Sequence, residues 1–480
     1  MKKIIEILIW LPWSGKSYYR NRLLKENKEI LILSSDDIRD ELLANKTKEE
    51  RDALLENNVL VNPFPILNDR LIKAIKQWTE YIVIDATNLI KKNRKQLIET
   101  IKSADSNNEY TINWTIFYRN IFDLYDKIEK RNQHYLDNND FLWIHRILSK
   151  EVINKMLRRI DIPGFDEWFN NISIINYAIG IKYSVLDEID WYYKIDKNDI
   201  STIEVDNDFF SLEYNINRIK KMEWFFKEIK YLMDLFYNWT YDLNYTINSC
   251  LSKFKEIINL DEYFIRYLWF EQTSKWHKED LYTHIELIFK WFLKIHKQNT
   301  EQLVEFILNY IKENNNQINL NLLKNNILNN QRTNPDSLEY FIEILYIILY
   351  HDVWKLWTRR KKIENLLDKW YNLINWKLYN RRGQLKEIDW LNDYQFLWHD
   401  KVSAVIYNFE IAPLGQLKSN DQLEEFIYQS VYFNIKNHIK YHDFVNWNNK
   451  KCSLITDSNL PYNPLIWLEF EYLDNYGKIQ

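Results

Sequence analysis

The start of the chain places an apolar run directly before a lysine-bearing loop, and this pairing constrains the fold more than any other feature. Residues 4–9 are almost all Ile or Leu, which predicts a buried β-strand. Glu6 interrupts the run and no small-residue cleavage site follows, so a strand is favoured over a signal peptide. Residues 10–17 then read W-L-P-W-S-G-K-S. They match the pattern G-x-x-x-x-G-K-[ST] except at its first glycine, where Trp10 stands.

This loop pattern is typical of a site for nucleotide phosphates. Backbone N–H groups face inward around the phosphates, and the N-terminus of the following helix adds positive potential. Lys16 would reach the β- and γ-phosphates of ATP, and Ser17 would bind Mg²⁺. An indole at position 10 would obstruct the turn that the loop needs. The predicted ATP-binding residues are Trp10, Trp13, Ser14, Gly15, Lys16 and Ser17.

The glycine and tryptophan contents are both abnormal. The chain has 6 Gly and 20 Trp among 480 residues. Ordinary usage of about 7% predicts roughly 34 Gly in a chain of this length. Together the two counts come much nearer an ordinary Gly content, so we predict that many Trp positions carry Gly in the working protein. A UGA codon that the source reads as Gly would produce this pattern; the alternative is a truly aromatic-rich protein.

Strand-like and helical segments alternate over residues 1–180. Short runs rich in β-branched and aromatic residues occur at 4–9, 30–33, 81–84 and 111–118, and longer polar segments separate them. This alternation predicts an α/β P-loop NTPase domain, with a parallel sheet and helices on both faces. Residues 181–260 are predicted to form a connector. Helical periodicity, for example at 281–295 and 338–350, predicts an all-α domain over 261–480.

Polar residues follow the second and third predicted strands, at the sheet edge where ligands bind in open α/β folds. Asp36 could accept a proton from an attacking hydroxyl, and Arg39 could hold a substrate phosphate. Asp85, Thr87 and Asn88 close the third strand and are predicted to bind substrate. Each acid alone would suit a helix cap or a solvated charge, but their order after a phosphate loop favours a kinase.

These residues resemble the P-loop polynucleotide kinase family. The resemblance covers residues 1–175 and rests on Gly15-Lys16-Ser17, Ser35-Asp36-Asp37-Ile38-Arg39, Asp85-Ala86-Thr87-Asn88, Arg94, Arg131-Asn132, Pro163 and Asp166-Glu167-Trp168-Phe169. It implies that Lys16, Asp36, Arg39 and Arg131 are catalytic. In that reading Asp36 is the general base, Arg39 contacts the acceptor phosphate, and Arg131 is a lid arginine. Tyr135 stands where the family often has a second lid arginine.

Histidines and aspartates recur in a fixed order in the C-terminal half. The residues are His284, the pair His351-Asp352, His399, His442 and Asp474. Imidazole and carboxylate together suit a divalent transition metal, and an adjacent His-Asp pair can supply two ligands. A metal site of this kind can activate water for attack on phosphorus. An isolated histidine is more often a packing or surface residue, so His134, His145, His277 and His296 receive no role.

This order resembles the HD phosphohydrolase superfamily over roughly residues 265–480. The resemblance implies that His284, His351, Asp352 and Asp474 bind a first metal. His399 and His442 would contact a second metal or the substrate phosphate, with His438 an alternative to His442, and Lys355 would neutralise phosphate charge. Mn, Fe, Ni, Co and Zn are not distinguished. Trp354 and Trp398 occupy positions where the superfamily has glycine.

Composition excludes several classes of protein. Two cysteines cannot build a disulfide framework or a zinc ribbon, and they favour a reducing, cytoplasmic setting. The net charge of −4 gives no global attraction to nucleic acid, so any such binding needs local basic patches. No apolar run approaches the roughly 20 residues that span a bilayer, so no membrane partner is expected.

The combined prediction is a bifunctional enzyme that processes nucleic-acid ends, with RNA favoured over DNA. An ATP- and Mg²⁺-dependent kinase would phosphorylate 5′-hydroxyl ends, and the HD domain would act on 3′-phosphate or 2′,3′-cyclic phosphate ends. One alternative is a small-molecule or nucleoside kinase fused to an HD nucleotide phosphohydrolase. Another is a degenerate, non-catalytic binding protein. The oligomeric state is left open.

Overall fold

The structure is a computed structural model that divides the chain into two compact units, Met1–Glu213 and Tyr214–Gln480. It describes residues 3–26, 29–44, 46–47, 49–50, 62–137, 147–203, 212–238, 242–261, 264, 280–296, 300–314, 320–328, 334–353, 355, 359–361, 372–374, 377–379, 385–386, 394–396, 399–420, 422–447 and 463–476. Within these residues, every helix is too short or too polar to cross a membrane.

The first unit is built on a seven-stranded sheet of order β2-β3-β1-β4-β5-β6-β7. Its strands are β1 (Lys3–Ile9), β2 (Leu31–Ser34), β3 (Tyr81–Asp85), β4 (Tyr110–Tyr118), β5 (Asn171–Asn176), β6 (Ile181–Ile189) and β7 (Tyr192–Thr202). The first five in chain order pair in parallel, and β6 and β7 add on antiparallel. The predicted α/β fold is confirmed, but its sheet is mixed instead of purely parallel.

Helices connect the parallel strands, as crossover connections require. They are α1 (Lys16–Glu26), α2 (Ser35–Ala44), α3 (Phe64–Lys76), α4 (Lys91–Ala104), α5 (Ile121–Asp137) and α6 (Lys150–Arg158). The central strand β1 is buried along most of its length and pairs with both β3 and β4. Its carboxyl end therefore opens at the middle of the sheet edge, and the phosphate loop begins there.

The second unit is predominantly helical. Its helices are α7 (Leu212–Asn238), which begins at the boundary between the units, α8 (Leu243–Ile258), α9 (Leu281–Ile295), α10 (Thr300–Asn314), α11 (Leu320–Leu328), α12 (Leu338–Tyr350), α13 (His399–Ile406), α14 (Ala412–Lys418), α15 (Gln422–Trp447) and α16 (Pro464–Tyr476). The bounds of α9 and α12 coincide with the two segments that periodicity predicts. Asp280 caps the first of them and Ser337 the second, each through a side-chain oxygen.

Residues 181–260 do not form a separate connector. Strands β6 and β7 complete the sheet of the first unit, whereas α7 and α8 lie in the second. The division between Glu213 and Tyr214 differs from the predicted boundary at residue 180 because an antiparallel hairpin extends the sheet past the last parallel strand.

Short strands interrupt the helices of the second unit. They are β8 (Arg359–Lys361), β9 (Asn372–Ile374), β10 (Lys377–Tyr379), β11 (Leu385–Lys386) and β12 (Tyr394–Phe396). The β8–β12 pairing matters for the site, because β8 follows Lys355 and β12 precedes His399. A π-helical segment, Tyr407–Ile411, joins α13 to α14, and Pro413 lies just beyond it. Because proline lacks an N–H, it breaks the regular helical hydrogen-bond pattern there.

Candidate active sites

The phosphate loop joins β1 to α1 and is closed in this structure by its own lysine. Lys16 lies at the start of α1 and is buried, and its Nζ donates to the backbone oxygens of Trp10 (2.8 Å) and Leu11 (2.7 Å). Burial lowers the pKa of Lys16 to about 8, against the opposing charges of Asp85 and Asp36. Gly15 has φ of 110°, which L side chains rarely adopt. Ser14 is buried and Ser17 exposed at the helix start.

Five tryptophans have left-handed backbone conformations. They are Trp10 (φ 139°), Trp13 (67°), Trp78 (63°), Trp168 (70°) and Trp191 (76°). The other non-glycine residues with positive φ in the described part of the chain are Asn88, Asn108 and Asp190. Asn and Asp tolerate this region, but bulky side chains do so only with strain. Two of the five lie in the phosphate loop itself.

Two of these tryptophans occupy turns that are built for glycine. Trp78 follows α3, where its N–H bonds to the oxygen of Ile75 and the next N–H, of Thr79, bonds to that of Ala74. This is the Schellman pattern, whose left-handed position is usually Gly. Asp190 and Trp191 form the two-residue loop between β6 and β7, and both have positive φ. A hairpin loop of this kind strongly prefers Asp-Gly or Asn-Gly.

Acidic and basic side chains meet beside the phosphate loop. Asp36 in the first turn of α2 forms an ion pair with Arg39 (2.5 Å). Its neighbour Asp37 pairs with Arg20 of α1 (2.9 Å), and the same Arg20 nitrogen lies 3.4 Å from Asp85 at the end of β3. Burial raises the pKa of Asp85, while Lys16 and Arg20 oppose that shift. The predicted residues Lys16, Asp36, Arg39 and Asp85 therefore lie in one charge network.

Arg20 is a site residue that sequence reasoning missed. The signal was available, because Arg20 follows Lys16 by four positions and so lies on the same face of α1. Its acidic partners are 17 and 65 residues away in sequence, on two other elements. No local pattern points to those partners.

Thr87 and Asn88 hold the loop after β3 against the phosphate loop. The backbone oxygen of Thr87 accepts from the N–H of Trp10 (3.2 Å), and Asn88 Nδ2 donates to the oxygen of Leu8 (2.9 Å). Their observed contacts are with the protein itself.

Arg94 is fully buried, donates twice to Glu167 and also donates to the backbone oxygen of Asn88. The structure therefore gives Arg94 a supporting position beneath this loop.

Arg131 lies on α5 and faces an aromatic side chain of the phosphate loop. Its guanidinium carbon is 4.7 Å from the ring centre of Trp13 and 5.6 Å from that of Tyr135. The predicted lid arginine is thus next to the loop, stacked on one of the left-handed tryptophans. A glycine at position 13 would remove this stacking partner.

In the second unit, four predicted ligands converge. His284 lies on α9, His351 and Asp352 follow α12, and Asp474 lies on α16. His284 Nε2 is 3.0 Å from Asp474 Oδ1 and 3.7 Å from Asp352 Oδ2, and His351 Nε2 is 3.2 Å from Asp352 Oδ2. All four residues are buried although they come from three separate helices.

A second group shares Asp352 with the first. His399 Nε2 is 3.2 Å from Asp352 Oδ1, His438 Nε2 is 3.1 Å from His399 Nε2, and Lys355 Nζ is 2.5 Å from Asp352 Oδ2. His438 therefore lies where His442 was expected. The side chain of His442 lies outside the described residues, as do Trp354 and Trp398. The other ligands predicted from the sequence lie close together around Asp352.

The donor set fits a divalent transition metal. His284, His351 and Asp352 form one group of candidate ligands, and Asp352, His399 and His438 form another; within each group the ligand atoms lie within 4.8 Å of one another. Both Asp352 oxygens and His351 Nε2 are buried and form no hydrogen bond of good geometry with any described residue. Burial opposes ionisation of Asp352, but the charges of His351 and Lys355 hold its pKa well below the usual range. A buried anion surrounded by imidazoles is the chemistry of a metal centre.

Comparisons with known proteins concern the first unit. A family model described as an AAA domain matches residues 7–121, which run from β1 to the start of α5. A crystal structure of a fungal RNA kinase is 16% identical with a TM-score of 0.25, covering 37% of this chain and 75% of the kinase chain. A structure from the PezAT chromosomal toxin–antitoxin system of Streptococcus pneumoniae is 15% identical with a TM-score of 0.25, covering 36% and 66%. No curated protein sequence matches this chain. The first unit is a P-loop kinase-like domain.

Proposed function

We propose that the protein is a two-site enzyme that repairs nucleic-acid ends, with RNA as the favoured substrate. The observation that carries the proposal is the convergence of His284, His351, Asp352 and Asp474 from helices far apart in sequence, in a chain that also carries a kinase-like phosphate loop. A packing core has no need to bury this many ionisable groups together, because each costs free energy unless it is paired or binds a metal.

In the first unit the proposed reaction is transfer of the γ-phosphoryl group of ATP to a 5′-hydroxyl. The acceptor oxygen forms a bond to the γ-phosphorus as the bond to the β-phosphate oxygen breaks, and ADP leaves. Asp36 takes the hydroxyl proton, and Lys16 leaves its backbone contacts to neutralise charge on the phosphates. Mg²⁺ bound through Ser17 would supply further charge neutralisation. Arg39 would exchange Asp36 for a phosphate of the acceptor, since arginine binds both anions well.

In the second unit the proposed reaction is hydrolysis of a 3′-phosphate or a 2′,3′-cyclic phosphate. His284, His351, Asp352 and Asp474 would hold a divalent transition metal, with His399 and His438 facing the other side of Asp352. Such a metal supplies Lewis acidity for attack of water on phosphorus. Lys355 would be released from Asp352 to stabilise the negative charge of the phosphate.

The proposal also states that the working protein carries glycine at the five positions where tryptophan has a left-handed conformation. The Schellman turn at Trp78 and the hairpin loop at Trp191 support this, because they lie far in sequence from the phosphate loop and need glycine for their own reasons. Reading UGA as Gly explains all five positions at once. The codons at positions 10, 13, 78, 168 and 191 test it, since UGG at all five excludes recoding.

The kinase is tested with protein that carries Trp10→Gly and Trp13→Gly. Labelled ATP and a 5′-hydroxyl oligoribonucleotide should give a labelled oligonucleotide, whereas the same protein with Asp36→Ala should lose at least 100-fold in rate. A free nucleoside as acceptor tests the small-molecule alternative. Transfer that persists in the Asp36→Ala protein would remove Asp36 from its proposed role.

The hydrolase is tested separately with oligonucleotides that end in 3′-phosphate or 2′,3′-cyclic phosphate. Mn, Fe, Ni, Co and Zn are each added to metal-free protein. Release of phosphate or opening of the cyclic ester should depend on metal and disappear in His351→Ala. Full activity of the His351→Ala protein in the presence of a chelator would contradict the metal site.

A further inference from the structure

The outer face of α7 differs in character from the face that packs into the second unit. The packed face buries residues Asn215, Ile219, Met222, Phe225, Phe226, Ile229 and Met233. The opposite face exposes Lys220, Lys221, Lys227 and Tyr231, which we name the α7 stripe. Lys220, Lys227 and Tyr231 are separated by seven and four residues, which puts them on one side of the helix, and Lys221 lies about 100° around the helix from Lys220. From Lys220 to Tyr231 the stripe runs about 16 Å along the helix axis.

The α7 stripe carries positive charge that its own helix does not neutralise. Three of the four acids of α7 have other partners: Glu223 pairs with Lys418, Glu228 lies 3.1 Å from Lys253, and Asp234 lies 2.7 Å from Lys230. The fourth, Glu213, is exposed in the first turn of the helix, seven residues before Lys220. Among the described residues, none of the three stripe lysines forms an ion pair. Because the whole chain has a net charge of −4, this concentration of positive charge is local.

Aromatic surface accompanies the lysines. Tyr231 is 62% exposed, and Trp224, which lies between Lys221 and Lys227 in the sequence, is 51% exposed. Exposed rings beside lysines provide a surface on which the bases of nucleic acid can stack. Single-stranded nucleic acid offers what both features need, because its phosphates pair with lysine and its bases stack on aromatic rings. An acidic peptide would pair with the lysines but would leave the rings without stacking partners.

We propose that the α7 stripe binds single-stranded nucleic acid. This extends the proposed function, since it assigns a binding surface for the body of the strand whose ends the two sites would process. A strand stacked at roughly 3.4 Å per nucleotide would cover the stripe with four to five nucleotides. The stripe contributes affinity for long strands and does not take part in the chemistry.

The first test is charge reversal with a matched control. The stripe variant carries Lys220→Glu, Lys221→Glu and Lys227→Glu. The control carries Lys76→Glu, Lys290→Glu and Lys312→Glu, which make the same change in net charge at exposed positions on other helices. Binding of a fluorescent 20-nucleotide single-stranded RNA is measured between 50 and 200 mM salt. We expect at least tenfold weaker binding by the stripe variant at 50 mM salt. We also plot the logarithm of the binding constant against the logarithm of the salt concentration. The slope of this plot should be smaller in magnitude by about 2 for the stripe variant, since each phosphate contact contributes about 0.7.

A second test addresses stacking. Tyr231→Ala should weaken binding of the same RNA by about tenfold, whereas Tyr231→Phe should keep it near the parent value, because stacking needs the ring and not the hydroxyl. Neither variant removes a buried side chain, so both should fold. Trp224 stays unchanged in every variant, and neither test depends on it.

Several results would overturn the proposal. The stripe variant could bind RNA as tightly as the control variant, or Tyr231→Ala could match the parent. Polyglutamate could compete as well as an oligonucleotide of equal charge, which would make the surface a general anion patch. Turnover of a short acceptor, measured on the same proteins, separates this proposal from the proposed function. Absence of that turnover in the parent protein would contradict the proposed enzymatic function. Weaker RNA binding by the stripe variant alone would support the proposed role of the α7 stripe.

Discussion

Arg20 contacts two of the elements that form the proposed kinase site. Its guanidinium contacts Asp37, next to the proposed base Asp36, and also Asp85 at the end of β3. It therefore connects the helix of the phosphate loop to the helix that carries the base. A residue in this position would act by placing Asp36 and would not need to touch the reacting atoms.

We predict that Arg20→Ala, made in protein with glycine at positions 10 and 13, lowers kcat for phosphoryl transfer about tenfold or more and leaves KM for ATP little changed. Arg20→Lys should restore only part of the rate, because lysine lacks the planar fork that reaches two carboxylates. The double variant with Asp37→Asn should lose little beyond Arg20→Ala, since the two side chains act through one contact. Arg22→Ala on the same helix is the control. A large rise in KM for ATP with unchanged kcat would contradict the positioning role.

Glu469 on α16 gives the second unit a predictable dependence on pH. It is fully buried, and burial raises its pKa to about 8, while the hydrogen bond donated by Tyr340 opposes the shift. Because the pKa of Glu469 is higher in the folded state, the protonated carboxyl contributes its full stability below about pH 4.5, the usual pKa of the group. This contribution to the free energy of unfolding is lost as the pH rises through about 8. The second unit should therefore lose stability across this range.

We predict that Glu469→Gln raises the free energy of unfolding by roughly 4 kcal/mol at pH 7.5 and has little effect near pH 4.5. Glutamine keeps an oxygen that accepts from Tyr340 and carries no charge at either pH. Denaturant unfolding at the two pH values measures the difference, with Glu301→Gln at an exposed position as the control. Equal effects of Glu469→Gln at both pH values would show that the carboxyl does not titrate as stated.

At the scale of elements, the turns report on the identity of the tryptophans. A left-handed conformation costs an L-residue roughly 1–2 kcal/mol relative to glycine. Trp78 ends α3 in such a conformation and is exposed, whereas Trp114 lies in the middle of β4 and is fully buried. The two residues therefore respond in opposite directions to the same substitution.

We predict that Trp78→Gly raises the free energy of unfolding by about 1 kcal/mol, because the strain is relieved and only an exposed contact with Lys3 is lost. Trp114→Gly should lower it by at least 3–5 kcal/mol, the usual cost of emptying a buried aromatic site. Thermal unfolding of the two variants measures both effects. A destabilised Trp78→Gly protein would mean that the indole contributes more than the turn costs.

The elements differ in how well their sequences predict them. The first four strands and helices α9 and α12 follow from short-range periodicity, since each buries a continuous or regularly spaced apolar face. Strands β6 and β7 were missed, although Ile181, Tyr183 and Val185 alternate with more exposed residues as a half-buried strand does. The many polar residues of that region obscured the alternation, and the hairpin loop lacked its expected glycine.

At the scale of the whole molecule, the proposed function assigns each unit its own set of groups for phosphate chemistry. The buried His and Asp residues of the proposed metal site distinguish the second unit from an ordinary helical domain. An ion held by His284, His351, Asp352 and Asp474 would link α9, the end of α12 and α16, and the second group around Asp352 adds residues of α13 and α15. Binding to the folded state alone stabilises that state by mass action.

We predict that Mn²⁺ at about 100 times its dissociation constant raises the stability of the second unit by about 2.7 kcal/mol. Differential scanning calorimetry of the full chain should show one transition that shifts with metal and reverts with a chelator. Asp352→Asn should abolish the shift, because both candidate groups share that residue. His134→Ala, at an exposed position in the first unit, is the control. An equal shift in the Asp352→Asn protein would place the metal elsewhere.

The sequence by itself determined the strand–loop–helix start, the order of the acidic residues after β2 and β3, and the identity of most candidate metal ligands. These depend on periodicity and on neighbours within a helical turn, so local patterns carry them. Only the tertiary structure decided that His438 joins Asp352, that Arg20 reaches Asp37 and Asp85, and that residues 181–260 divide between two units. Such contacts join residues as far apart as His284 and Asp474, 190 positions along the chain. Their geometry depends on how whole helices pack, which no short stretch of sequence encodes.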